Sequence, residues 1–137
     1  LSETKMSFAD VVLDSKSLSL NLKNCRKVVL VAMTIGSEVD ALIRRWQYMD
    51  STKAVILQAC GAAFAEDYME QFNSNLKEEY LSKGFKCHPR FSPGFGDVPL
   101  EVQKLFFKLL PCDKICLTLM DSLIMAPEKS ITAFIGV

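Results

Sequence analysis

Apolar positions along this chain change period as it is read. Leu18, Leu20 and Leu22 alternate with polar neighbours, which predicts a half-buried strand. The run KVVLVAM at 27–33 is short, apolar and rich in β-branched residues. It predicts a buried strand, with a turn at Gly36 behind it. From there the spacing becomes helical. Val39, Leu42, Ile43, Trp46 and Met49 form one stripe behind Ser37 as N-cap, with Glu38 and Asp40 in the first turn. Trp46 reads as a core residue.

Asp50, Ser51 and Thr52 break that helix and start the next, predicted over 51–83 with Gly84 just past its end. Residues 54–65 carry no charge, and Gln58 is their only strongly polar side chain. This predicts a helix buried on nearly all sides, in which Gly61 and the nearby alanines let another element come close. Beyond Glu66 the apolar positions narrow to Met69, Phe72, Leu76 and Tyr80, and Asn73-Ser74-Asn75 is the expected weak point.

Pro89, Pro93, Gly94 and Gly96 predict irregular chain over 85–95. Asp97 is placed to cap a helix that has Pro99 in its first turn, with Val102, Leu105, Phe106 and Leu109 inward and Pro111 at its end. Two β-like runs follow, at 114–120 and 130–137. The connection between them is too short for a helical crossover, so they are expected antiparallel if paired. The fold class is α+β: helices packed on a mostly antiparallel sheet, with one long central buried helix. A chain of 137 residues with no dividing linker reads as a single domain over 1–137.

Composition narrows the function classes. The chain is 50% hydrophobic and 23% charged, with 16 Lys and Arg against 16 Asp and Glu. That balance argues against a basic nucleic-acid binder and a polybasic membrane-surface protein. No uncharged run approaches the roughly 18 residues of a membrane span, and no signal-peptide pattern is visible. The first residue is Leu1, which reads as a processed product or a piece of a longer chain. Cys25, Cys60, Cys87, Cys112 and Cys116 are odd in number and scattered, mostly in apolar stretches. They read as reduced thiols of a cytoplasmic protein, with no metal site expected. Cys87 next to His88 does not read as a catalytic pair, because neighbours in extended chain point to opposite faces.

Residues 90–99, RFSPGFGDVP, stand out from ordinary loop sequence. Pro93-Gly94 fits the centre of a type II turn, and Ser92 before the proline is held extended. Arg90 offers a planar fork for a carboxylate, and Phe91 and Phe95 offer faces to a ring or a cation. Together they suit a small zwitterion with a flat ring and a positive charge. The same residues also make an ordinary turn between helices.

Arg90-x-x-Pro93-Gly94-Phe95 resembles the Arg-x-x-Pro-Gly-Tyr motif of the activation domain of cobalamin-dependent methionine synthase. The Met33-Thr34-Ile35-Gly36 turn, the Ala63-Phe64-Ala65-Glu66 stretch of the long helix, SPGFGDVPLEVQ at 92–103 and residues 117–136 are similar to that family in the same order, nearest its compact stand-alone members. The resemblance implies a module of a methyltransferase system rather than a complete enzyme. Such a module binds S-adenosylmethionine and presents its methyl group to the cobalt of cobalamin, restoring cofactor oxidised from Co(I) to Co(II). The implied partners are a cobalamin-binding domain or subunit of methionine synthase and a flavodoxin-like electron donor, with no nucleic acid and no membrane.

The resemblance also implies the site residues. Arg90 takes the ligand carboxylate; Ser92, Pro93, Gly94 and Phe95 surround it; Phe134, Ile135 and Gly136 of the last strand lie along it. No catalytic residue and no metal ligand is implied. The chain departs from the family pattern at Phe95, where larger members have Tyr, and at Ala62, where some have a ligand-facing Glu. The family's upstream aspartate has only Asp10 and Asp14 as candidates. These departures fit an alternative, an interaction domain of the same fold that has lost S-adenosylmethionine binding.

Overall fold

In the computed structural model, residues 4–137 are described. The chain begins with a hairpin of β1 (Lys5–Phe8) and β2 (Val11–Asp14). Next come α1 (Lys16–Asn21), β3 (Val28–Thr34), α2 (Ser37–Met49) and α3 (Ser51–Ser82). After an irregular stretch, a 3₁₀ turn at Leu100–Val102 leads into α4 (Gln103–Leu109), and a second covers Cys112–Ile115. The short strands β4 (Thr118–Leu119) and β5 (Met125–Ala126) precede β6 (Ser130–Gly136). The expected α+β class, antiparallel pairing and long helix are all present.

The organising element is the antiparallel pair β3–β6, in register from Val28 opposite Gly136 to Thr34 opposite Ser130. Alternation along each strand sends side chains to two faces. On one face Val31, Met33, Ala133 and Ile135 pack against Ala65 and Met69 of α3. On the other, Val28, Leu30 and Phe134 pack against Leu18 of α1 and Val102, Leu105 and Phe106, with Phe8 of the hairpin beside them. The Phe134 ring lies 4.7 Å from that of Phe106 and 5.3 Å from that of Phe8. The domain is thus three layers: α3, the strand pair, then α4 with α1 and the hairpin. Beside Phe134, residue Phe91 adds an antiparallel bridge to the free edge of β6.

Several expectations are corrected. The three alternating leucines belong to a helix, Leu18 and Leu20 within α1 and Leu22 as its C-cap. Leu18 and Leu22 share its inner face, while Leu20 is 60% exposed. A period of two over three residues does not distinguish a strand from one helical turn when the cap is strong. Ser15 accepts from the Leu18 N–H, and Asp97 accepts from the N–H groups of Lys16 and Ser17. Asp97 therefore caps α1 from a distance; the turn after Pro99 has no side-chain cap.

In α2 the N-cap is Gly36, at φ +92°, and Ser37 is the first helical residue. Of its predicted stripe only Ile43 is buried. Trp46 is half-buried, with the Lys53 ammonium 4.5 Å from its ring. Of the run at 114–120 only Thr118–Leu119 is strand, its start being taken by the second 3₁₀ turn, and it does not pair with the run at 130–137. β4 takes β5, and β6 takes β3.

Helix α3 is capped by Asp50 and runs unbroken through Asn73. Its burial is confined to one stripe, Ala54, Gly61, Ala65, Met69 and Asn73. The first half is not buried on nearly all sides: Val55, Ile56 and Phe64 are 67%, 56% and 60% exposed. The lack of charge was a poor guide to burial, since only one helix face meets the sheet. Gly61 does receive close neighbours, Val39 of α2 and Lys129.

Candidate functional site

The segment carrying Arg90 is held in place from two sides. Behind it, the Phe91 N–H donates to the Phe134 carbonyl at 2.8 Å, the Phe134 N–H returns the bond at 2.7 Å, and His88 N–H donates to the Gly136 carbonyl at 2.8 Å. In front, Pro93 is buried and Gly94 has φ +87°, while the Phe95 N–H reaches the Ser92 carbonyl at 3.3 Å. This is the type II turn the sequence predicts. Gly96 sits at φ +56° with Phe91 and Ser17 close to where a side chain would begin, so glycine is favoured there on two grounds.

Asp97 ties the end of this loop to α1. Its Oδ1 accepts from the Ser15 hydroxyl at 2.5 Å and from the Ser17 N–H at 3.2 Å, and its Oδ2 accepts from the Lys16 N–H at 2.7 Å. The Ser15 hydrogen bond, aided by the N–H donors, holds the carboxyl down at about 2 against an ordinary 3.8. A group whose folded value is depressed contributes stability that is fully present above its unfolded value and is lost as pH falls through the folded one. Asp97→Asn is therefore expected to flatten the stability-versus-pH curve between 3.8 and about 2. Urea unfolding of both proteins across that window checks this. Parallel curves would mean that Asp97 gains nothing from its donors.

The guanidinium of Arg90 lies against α3. Its Nη2 donates to Glu66 Oε2, and its Nε is 4.0 Å from Glu70 Oε2. Lys77 in turn is 4.0 Å from Glu70. Glu66, Arg90, Phe91, Ser92 and Phe95 line an open cleft of about 530 Å³. The Arg90 side chain is 24% exposed, and Phe95 is 68% exposed at the cleft's edge. One wall is therefore a cation paired with a carboxylate, and the other an aromatic face. Such a surface can take a ligand carrying both signs of charge and a flat ring.

Of the residues expected at the site, the structure brings Arg90, Ser92 and Phe95 together around this cleft, with Gly94 exposed at the turn and Pro93 buried beneath it. Phe134, Ile135 and Gly136 are elsewhere. All three are buried; Phe134 and Gly136 hold the 88–91 segment, and Ile135 faces α3. They support the cleft without lining it. Asp10 and Asp14 lie on the hairpin and do not line it either; Asp10 is 3.6 Å from the Lys108 ammonium.

Glu66 reads from the sequence as a solvated helix-face residue, with a ligand role as the lesser alternative, and the structure places it at the cleft. It follows Ala62 by one helical turn on α3. Its signal in the sequence was indirect, a carboxylate closing the uncharged half of the helix. The five cysteines are free, and burial pushes the thiols of Cys25, Cys87 and Cys112 up. Among the described residues no group of three or more His, Cys, Asp or Glu is placed to hold a metal ion, and no helix is long and apolar enough to cross a membrane.

No family model matches the chain, and no curated protein matches it. Among solved structures it is similar to a crystal structure of the MetH reactivation domain bound to AdoHcy. The TM-score is 0.68 at 20% identity, over 90% of this chain and 42% of that one. At that identity the likeness shows a shared fold. This chain spans less than half the length of the domain it matches.

Proposed function

We propose that this chain is a reactivation module of the methionine synthase type, binding S-adenosylmethionine in the Arg90 cleft. The observation that carries the reading is a guanidinium, a carboxylate and an exposed aromatic face converging on one cleft, in a fold shared with a domain that holds AdoHcy. Arg90 takes the ligand carboxylate, the main chain around Ser92 and Gly94 takes its polar groups, and Phe95 lies against the adenine or the sulfonium. Bound S-adenosylmethionine supplies an activated methyl group, and cobalamin on a partner domain supplies the cobalt that receives it. The chain's own contribution is to bind and orient. A flavodoxin-like protein is the proposed electron donor.

A second reading has two observations in its favour. Glu66 already pairs with Nη2 of Arg90, and Phe95 has no hydroxyl to replace the contact of a tyrosine. On this reading the chain is an interaction domain that keeps the fold without the ligand.

Calorimetric titration with S-adenosylmethionine separates the two. The first reading expects saturable binding by the wild type and tighter binding by Phe95→Tyr. Absence of binding by both proteins at millimolar ligand would leave the interaction domain as the function.

A further inference from the structure

The other edge of the central strand pair is open. Lys27 and Val137 exchange both backbone bonds, at 3.0 and 2.9 Å, and Ile35 N–H donates to Lys129 at 3.1 Å. In an antiparallel ladder this phase commits the backbone of Val29, Val31 and Met33 to β6. The N–H and C=O groups of Val28, Leu30, Ala32 and Thr34 point the opposite way, and no strand meets them among the described residues. Native sheets usually blunt such an edge with charge, proline or a bulge. Residues 28–35, VVLVAMTI, have none of these.

The edge is also recessed. It forms the floor of a slot of about 450 Å³, walled on the α3 side by Tyr68 and Phe72 and on the other by Leu110, Pro111 and Ile115. No charged side chain lines the slot. Tyr68, Phe72 and Ile115 are 53%, 42% and 41% exposed, so large apolar surface is left in water at its rim.

We infer that this slot is a binding site for an extended segment of a partner protein, uncharged and apolar on both faces, which adds as a strand beside β3. The inference does not rest on the S-adenosylmethionine reading, since the Arg90 segment lies along the opposite edge, on β6. Three features define the occupant. Free backbone groups at every second residue call for a strand, because a helix has its own groups paired. A strand laid there sends successive side chains to opposite walls, and both walls are apolar, so a half-polar amphipathic strand is excluded. A charged side chain between those walls would find no partner and would lose its hydration. A second copy of this chain fits poorly, because its own β3 lies behind the same two walls and two recessed edges cannot meet.

The test is amide hydrogen exchange by NMR on the full chain. The probe is a capped peptide of six uncharged β-branched residues between lysine pairs. In the free protein the Leu30 and Ala32 amides are expected to exchange at least about tenfold faster than those of Val29, Val31 and Met33. Peptide is expected to slow Leu30 and Ala32 selectively. Of two peptides N-methylated at alternate amides, one in each phase, only one should lose binding, as an edge-paired strand requires. Ile115→Lys should abolish the peptide effect while Val31 stays protected. The inference is overturned if the peptide changes nothing or both methylated forms bind alike. It is equally overturned if Leu30 and Ala32 are already protected in the free chain, and protection that grows with protein concentration would seat a second copy there.

Discussion

Phe134→Ala is expected to lower the unfolding free energy by about 3–5 kcal/mol, the range for emptying a buried phenylalanine site. Typical domains have only about 5–15 kcal/mol in total, so this single change approaches the threshold of folding. The size follows from position. Phe134 is 0% exposed, its ring meets Phe106 and Phe8 in one layer, and its backbone is bonded to Phe91. Removing the ring leaves a cavity that Leu18, Phe106 and Phe8 cannot all move to fill. Phe95→Ala is the control. With Phe95 68% exposed, its loss is expected to stay within about 0.5 kcal/mol. Urea unfolding with unchanged m-values measures both. Equal losses would show that Phe134 is not the centre of the core.

The contrast between these two phenylalanines also marks what was legible in the sequence. Residues 27–33 announced a strand by their β-branched run, Asp50 announced a helix start, and Pro93-Gly94 announced a turn; all three signals are local, and each element formed. What sequence could not show were partnerships across long separations. β3 pairs with β6 about a hundred residues later, and nothing in either run names the other. Asp97 has a local use as a cap before Pro99, yet it caps α1, 81 residues away, because the 92–97 loop folds back onto that helix start. The apolar first half of α3 looked like a core helix because periodicity reports composition, whereas burial depends on how many layers are present to cover it. Here the strand pair covers Ala65 and Met69, and α2 comes against Gly61. The residues just beyond that half line the slot beside β3, in Tyr68 and Phe72, and the rim of the Arg90 cleft, in Glu66. The site was legible as a loop with unusual chemistry. Its acidic member, Glu66, was legible only as the lesser of two readings, since Glu66 and Arg90 meet only through the tertiary fold.

That meeting of Glu66 and Arg90 sets the second large effect. Two roles are open to Arg90. It can clasp α3 to the 88–91 segment, with Glu66 as its permanent partner, or it can serve a ligand carboxylate, with Glu66 standing in until the ligand arrives. Magnitudes separate them. Glu66 is 60% exposed, and an ion pair with one partner so exposed contributes at most about 1 kcal/mol. On the reactivation reading, a two-pronged, charge-assisted bond from Arg90 to a ligand carboxylate in a partly desolvated cleft would be worth about 1.5–3 kcal/mol, enough for the ligand to displace Glu66. Arg90→Ala is then expected to weaken S-adenosylmethionine binding by about one to two decades. Arg90→Lys should also weaken it, since the charge stays and the fork is lost. Glu66→Gln should stay within about fivefold of wild type, the equivalent of the exposed pair it removes. The clasp predicts a different pattern, in which Arg90→Ala and Glu66→Gln lower stability equally and leave affinity unchanged. Calorimetric titration of the four proteins, with urea unfolding alongside, distinguishes the patterns. Arg90→Ala binding as tightly as wild type would remove Arg90 from the site and leave it as the clasp.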